Sequence, residues 1–93
     1  MIKLDSDKLL YFFDIDINTL SKLLIKNKYL IIYLEDLINL VNGFFNNEEK
    51  TKLWFNTPNP QLADLSPKNL ILMGKEIRVR QFIEFALSQN EID

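Results

Sequence analysis

Two pairs of neighbouring carboxylates are the groups in this 93-residue sequence that are best placed for acid–base chemistry. They are Asp14 with Asp16 and Glu35 with Asp36. The chain has no histidine and no cysteine, so Ser-His and Cys-His catalysis, the usual general base near neutral pH and Cys-based metal sites are excluded. Adjacent helical residues such as Glu35 and Asp36 point in different directions. We therefore expect a protein that is not an enzyme and that uses no cofactor and no metal ion.

The composition is that of one ordinary globular domain, with 47% hydrophobic and 26% charged residues. Two glycines and three prolines leave few residues for tight hairpin turns, which favours helices over a sandwich or a barrel. The net charge of -2 is spread evenly, with five lysines against six acidic residues in the first half and six basic against seven acidic residues in the second. Composition therefore predicts no basic face for nucleic acid.

The first residues show no basic segment followed by an apolar one, so a signal peptide is not expected. The most apolar stretch, residues 29–45, is shorter than the roughly 20 residues that span a bilayer and contains carboxylates. A cytoplasmic location without membrane contact is the expectation.

Start signals place two short helices at the beginning of the chain. The first covers about residues 7–13, with Ser6 or Asp7 as its N-cap. The second begins after Asp16 or Asn18 and carries leucines at helical spacing. Together they predict a helical hairpin.

A longer third helix follows, and a fourth begins soon after it. The third has apolar residues at helical spacing, which are Leu30, Leu34, Leu37, Ile38 and Val41. We expect it to end at the pair Asn42-Gly43, where glycine can adopt the left-handed conformation. The alternative is a buried strand over residues 29–34, because β-branched and aromatic residues favour strands. Asn46 or Asn47 then caps the fourth helix.

Three prolines in the second half of the chain limit where helices can begin and end. The stretch 56–60 cannot continue a helix, because proline lacks a backbone donor and restricts the residue before it. Ser66-Pro67 is a typical helix start, and Gly74 marks the end of that fifth helix. The last helix is expected over about residues 75–89. The predicted fold is thus all-α, a compact bundle of five to six short helices.

The segment between the fourth and fifth helices is more specific than a generic helical pattern. It consists of a helix ending in Trp, a Pro-Asn-Pro loop, a Leu and a Ser-Pro-x-x-Leu helix start, formed by Trp54, Pro58, Asn59, Pro60, Leu62, Ser66, Pro67 and Leu70. With this spacing the chain resembles the toxin-binding domain of the Xre/MbcA/ParS-type antitoxins over about residues 46–88. One departure is visible, because the family commonly has Gly-Gly after the loop Leu and this chain has Ala63-Asp64.

The residues of this motif also have structural explanations. A Trp beside a proline-rich turn is usually a core anchor, since an indole buries a large area. Asn59 is expected to bond its side chain to the backbone of the turn, and Ser66 with Pro67 to begin a helix. We therefore expect the motif to be mainly structural and the partner-binding surface to lie elsewhere.

The resemblance implies an antitoxin of a bacterial type II toxin–antitoxin pair. Its partner would be a RES-domain toxin that consumes NAD or transfers ADP-ribose, neutralised by occlusion of its active site. In that family the C-terminal region reaches over a basic cleft, so the candidate toxin-binding residues are Glu84, Phe85, Leu87, Glu91, Ile92 and Asp93. Carboxylates can pair with arginines that otherwise hold phosphate. The alternative is that this acidic tail is only solvated and frayed.

The division predicted is an N-terminal helical region, residues 1–45, and a toxin-binding region, residues 46–93, forming one compact unit. The first region resembles a reduced helix-turn-helix, with Lys22, Lys26 and Lys28 as its possible DNA contacts. The alternative, which the charge distribution favours, is a helical hairpin for packing or dimerisation. The alternative function is accordingly a small dimeric helical DNA-binding regulator or interaction module. DNA binding is disfavoured because Asp14 and Asp16 would face phosphates with the wrong sign.

More apolar residues are present than one small core can hold. Those expected in excess are Tyr29, Ile31, Tyr33, Phe44 and Phe45. An exposed apolar patch of that kind indicates self-association or a permanent partner. We expect a homodimer or a larger complex with the toxin.

Overall fold

The computed structural model describes residues 5–89, and this part of the chain is all-α, as predicted. Its helices are α1 Ser6–Phe13, α2 Ile17–Lys26, α3 Leu30–Phe45, α4 Glu48–Asn56, α5 Pro67–Leu72 and α6 Glu76–Ser88. A short 3₁₀ helix, Pro60–Leu62, lies in the connection between α4 and α5. The alternative of a strand over residues 29–34 is wrong, because α3 begins at Leu30 and runs through that stretch.

Side-chain caps define where four of these α-helices begin, and three of the four are α1, α2 and α4. The Asp16 carboxylate accepts a hydrogen bond of 2.7 Å from the Thr19 backbone N–H, and Asn47 Oδ1 accepts one of 2.9 Å from Lys50. The first helix is capped by Asp5, which accepts from the Lys8 N–H. The prediction of Ser6 or Asp7 as that cap is therefore wrong, since a carboxylate one residue earlier reaches the exposed donor.

The third helix does not stop at Asn42-Gly43 and continues for another half turn. Asn46 ends it with a left-handed φ of 51°, and its N–H donates to the Asn42 carbonyl at 2.7 Å. Gly43 is therefore helical, because a mid-helix glycine costs only about 1 kcal/mol and Phe45 packs against the core beyond it. After glycine, asparagine is the residue type that most readily adopts this left-handed conformation.

Helix α4 lies at the centre of the bundle and contacts α1, α3 and α5, while α6 packs on α3 and α5. The buried apolar core is formed by Leu9, Phe12, Phe13, Leu20, Leu30, Leu34, Leu37, Ile38, Val41, Trp54, Phe55, Leu62, Leu70, Ile71, Val79, Ile83 and Ala86. Helix α2 contributes only Leu20 to it, so α2 is the most peripheral element. The whole stripe predicted for α3 is buried.

One buried polar side chain joins α3 to α4. The Thr51 hydroxyl is fully buried and lies 2.9 Å from Asn42 Oδ1 and 2.8 Å from the Asn47 carbonyl. Asn56 adds a link to α1, because its side-chain amide donates to the Phe12 carbonyl at 2.8 Å. Side-chain hydrogen bonds thus link α4 to α3 and to α1.

The cap of α2 predicts how stability depends on pH. The hydrogen bond from the Thr19 backbone N–H lowers the pKa of Asp16 below its usual 3.8. The ionised cap therefore stabilises the fold fully above pH 3.8, and this contribution is lost as the pH falls through the lower pKa of the folded state. We expect Asp16→Asn, which keeps an acceptor without the charge, to flatten this acid-side loss. Thermal unfolding followed by circular dichroism from pH 7 to pH 3 measures it, and an equal acid dependence in both proteins would contradict it.

Candidate functional site

The indole of Trp54 is the anchor at the end of α4, as predicted. The residue is only 9% exposed, and its ring stacks on Phe82 of α6 with centroids 6.2 Å apart and planes 13° apart. It also meets Phe55 edge to face at 5.0 Å, and Phe55 in turn meets Phe13 of α1 at 5.1 Å. A chain of aromatic contacts therefore connects α1, α4 and α6.

Asn59 organises the proline loop through both its side chain and its backbone. Its Oδ1 accepts from the Gln61 N–H at 2.9 Å, which confirms the predicted side-chain to backbone bond. Its backbone carbonyl accepts from Leu62 and Asp64, and its N–H donates to the Leu65 carbonyl. With Leu62 buried beneath it, the loop is an ordered part of the fold.

The next helix starts as the sequence predicts. Ser66 Oγ accepts from the Asn69 N–H at 3.1 Å, and Pro67 occupies the first turn of α5. Leu70 is buried in the core. Gly74 then adopts a positive φ of 78° in the turn to α6. These motif residues therefore serve the fold, in agreement with their predicted structural role.

The two residues that follow Leu62 have an unusual backbone conformation. Ala63 and Asp64 both adopt left-handed conformations, with φ of 58° and 63°. These are the two positions where the resembled family commonly has glycines. Left-handed backbone disfavours a Cβ, so glycine is the residue of lowest cost there. The loop thus keeps a glycine-type backbone although this chain supplies Ala and Asp.

Three shallow grooves adjoin one another through shared lining residues, and we call the surface that they form the Trp54 band. The first, of about 600 Å³, is lined by Phe44, Phe45, Lys50, Leu53, Trp54 and Thr57. The second, of about 340 Å³, shares Trp54 and Thr57 and adds Pro58, Asn59, Pro60 and Gln61. The third, of about 230 Å³, shares Gln61 and adds Leu62, Arg78, Gln81, Phe82 and Phe85.

Three large apolar side chains on this band are exposed to solvent. Leu53 is 66% exposed, Phe85 60% and Phe44 39%. The sequence analysis did not predict Leu53 as a surface residue. Its position one residue before the buried pair Trp54-Phe55 indicates that it points outward. Pro58 and Pro60 line the band, so the loop contributes to an exposed surface as well as to the fold.

The expected excess of apolar residues is found only in part. Phe44 is on the band, and Tyr29 is 64% exposed at the start of α3. Ile31, Tyr33 and Phe45 are instead half-buried against the core, which corrects the expectation for these three. They lie at the flanks of the α3 stripe, where a long side chain reaches inward.

The structure separates the predicted toxin-binding residues of α6. Phe85 is on the Trp54 band, whereas Leu87 is half-buried and packs against the core. Two residues along a helix are about 200° apart around its axis, so these side chains lie on opposite sides. Glu91, Ile92 and Asp93 lie outside the described residues.

Glu84 belongs to a small polar cluster between α6 and α3. Its Oε1 accepts from Arg80 Nε at 2.8 Å, and Arg80 also lies 3.8 Å from Asp36 and over the Tyr33 ring. The hydrogen bond to Glu84 raises the pKa of Arg80, while burial raises the pKa of Tyr33. The Glu84 carboxylate therefore has a partner that competes with any arginine of another protein.

The lysines proposed for DNA are exposed but only partly clustered. Lys22 and Lys26 line one shallow cavity of about 310 Å³ along α2 with Leu72. Lys28 follows the helix, and its ammonium lies 5.2 Å from the centroid of the Tyr29 ring. The structure thus brings two of the three lysines together.

Within residues 5–89, the carboxylates considered for catalysis or metal binding do not cluster into a site. This part of the chain contains no group of three or more carboxylates that could hold a metal ion. Asp16 caps α2, and Asp14 sits in a left-handed conformation at the end of α1. None of the helices in this range is long and apolar enough to cross a membrane.

Comparisons with known proteins found no relative of this chain. Neither protein-family models, nor curated proteins, nor solved structures gave a significant match to the chain. The candidate site is therefore defined by its own geometry, as an apolar surface framed by an ordered proline loop.

The left-handed pair predicts a stabilising substitution. Ala63→Gly should raise the free energy of unfolding by about 0.5–1 kcal/mol, because relief of a cost of about 1–2 kcal/mol exceeds the extra entropy of glycine in the unfolded chain. Asp64→Gly should gain less, since aspartate tolerates this conformation better. Urea denaturation measures both. The matched control, Ala86→Gly in α6, should lose about 1 kcal/mol or more, and a destabilised Ala63→Gly would contradict the assigned loop backbone.

Proposed function

We propose that this chain is the antitoxin of a type II toxin–antitoxin pair, and that it binds and neutralises a RES-domain toxin. The observation that carries the proposal is the left-handed backbone at Ala63 and Asp64. The antitoxin itself performs no reaction. It acts in the cytoplasm, where its target consumes NAD or transfers ADP-ribose.

The backbone at these two positions supports the resemblance independently of residue identity. Two successive non-glycine residues with positive φ are uncommon, because the Cβ disfavours that region. The family pattern places glycines at this step of the loop, and the chain adopts the glycine-type conformation there with different residues. This agreement between the backbone conformation and the glycines of the family pattern supports the proposal.

Neutralisation is proposed to proceed through α6 and the residues that follow it. Phe85 offers an exposed aromatic anchor, and Glu84 offers a carboxylate on the neighbouring face. A carboxylate fits a guanidinium that otherwise holds a nucleotide phosphate. The Glu84–Arg80 pair is exposed, so exchanging Arg80 for an arginine of the toxin costs little free energy.

An assembly larger than one chain follows from the apolar surface. Side chains as exposed as Leu53 and Phe85 are typical of interfaces when they lie on one continuous band. We propose that the protein acts in a larger complex with the toxin, or as a homodimer formed through another face of the bundle.

Affinity purification from the native cells tests the assignment directly. Tagged protein should retain a RES-domain enzyme, identified by mass spectrometry, and the purified complex should have lost NAD consumption. Recovery of operator DNA without such an enzyme, or of the chain alone, would contradict the antitoxin proposal.

The proposal also predicts which residues protect cells from the toxin. Removing residues 88–93 should abolish neutralisation and leave the helical circular dichroism spectrum almost unchanged, because the buried residues of α6 all precede residue 88. Phe85→Ser should weaken protection, whereas Ile32→Ser, at a similarly exposed position on α3, should not. Growth during co-expression with the recovered toxin measures both effects. Full protection by the shortened chain would show that the tail does not occlude the active site.

A further inference from the structure

Within residues 5–89, the lining of the Trp54 band contains no carboxylate. The charged side chains among these lining residues are Lys50 in the first groove and Arg78 in the third. The chain as a whole has more acidic than basic residues. The described lining of the band is therefore positively charged, although the chain as a whole is acidic.

Neither cation is explained by the fold. Within residues 5–89, Lys50 and Arg78 take part in no ion pair. Each occupies the third position of its helix, in α4 and in α6. The positive end of the helix dipole lies there, so a cation is unfavourable for the helix and a carboxylate would be preferred. Their positions are consistent with use by a binding partner.

The charge pattern argues against a second copy of this chain as the occupant. In a symmetric dimer the band would face the same band of the other copy. Lys50 and Arg78 would then meet a surface that has two cations and no carboxylate. Such a contact buries charge without compensation, which opposes association.

A partner of opposite charge satisfies the same features. The apolar floor of the band includes the exposed side chains of Leu53 and Phe85 and the stacked rings of Trp54 and Phe82, with Lys50 lining the first groove and Arg78 the third. An amphipathic helix covers such a floor with residues at i, i+3, i+4 and i+7, and carboxylates near its two ends reach Lys50 and Arg78. We propose that the Trp54 band docks an acidic amphipathic helix of another protein. The Lys50 end lies away from α6, so this contact goes beyond the proposed occlusion of a toxin by α6.

A displayed peptide library tests the proposal with the full chain. The library consists of Trp-free amphipathic helices of about four turns, with Glu, Gln or Lys allowed at the positions flanking an apolar stripe. Trp54 is the only tryptophan in the chain and lies on the band, so its fluorescence reports binding of each enriched peptide. We expect Glu to be enriched over Lys at both ends of the stripe.

Matched variants locate the contact. Leu53→Ser, which removes an exposed apolar contact, and Lys50→Glu, which replaces attraction by repulsion, should each weaken binding of the enriched peptide about tenfold. A peptide in which Lys replaces Glu at one end should recover affinity for Lys50→Glu. Ile32→Ser, which removes an equally exposed side chain outside the band, should bind as the unchanged protein does. Circular dichroism verifies that each variant folds.

Several outcomes would overturn the proposal. Enrichment of Lys, no enriched helix, or equal loss in Ile32→Ser would show that the band does not select an acidic helix. A dimer in sedimentation that Leu53→Ser dissociates would show that a second copy occupies it. Loss of peptide binding with retained toxin neutralisation in Leu53→Ser would instead support the proposal, and it would separate this site from the antitoxin function.

Discussion

Burial of the two aromatic rings at the end of α4 is the constraint on which the rest of the structure depends. Helix α4 has nine residues and a polar first half, so it is too short to be stable alone. Trp54 and Phe55 bury their rings against Phe82 and Phe13, and these contacts join α6 and α1 to the central helix. Because an aromatic ring removes a large apolar area from water, this cluster supplies the packing that the local sequence of α4 lacks.

The same constraint creates the exposed surface. Successive helical residues are about 100° apart, so burying both Trp54 and Phe55 leaves Leu53 directed toward solvent. The chain must then leave the helix at the prolines and return to start α5 within a few residues. The turn of left-handed backbone at Ala63 and Asp64 makes that return possible at some cost in free energy. The apolar band and the strained loop are thus two results of one packing arrangement.

Helix α6 presents different chemistry on its two exposed flanks. Phe85 extends the apolar band beside Phe82, while Glu84 and Arg80 form a polar cluster with Asp36 of α3. A single helix can therefore contribute to an apolar contact and to an ionic one at the same time. This combination is suited to recognition of another protein, because the apolar part provides affinity and the charges provide orientation.

The sequence alone determined the features that depend on local interactions. Asn47, Ser66 and Asn59 bond to backbone groups within three residues, and the α3 stripe follows from helical periodicity, so helix positions and the loop were predictable. Only the tertiary structure decided that α3 continues past Gly43, that Phe85 faces outward while Leu87 packs inward, and that Lys50 and Arg78 frame one surface. These outcomes depend on contacts between distant segments, whose free energies exceed local preferences of about 1 kcal/mol. The left-handed pair at Ala63 and Asp64 belongs to the same class, because packing on both sides of the loop overrides what those residue types prefer.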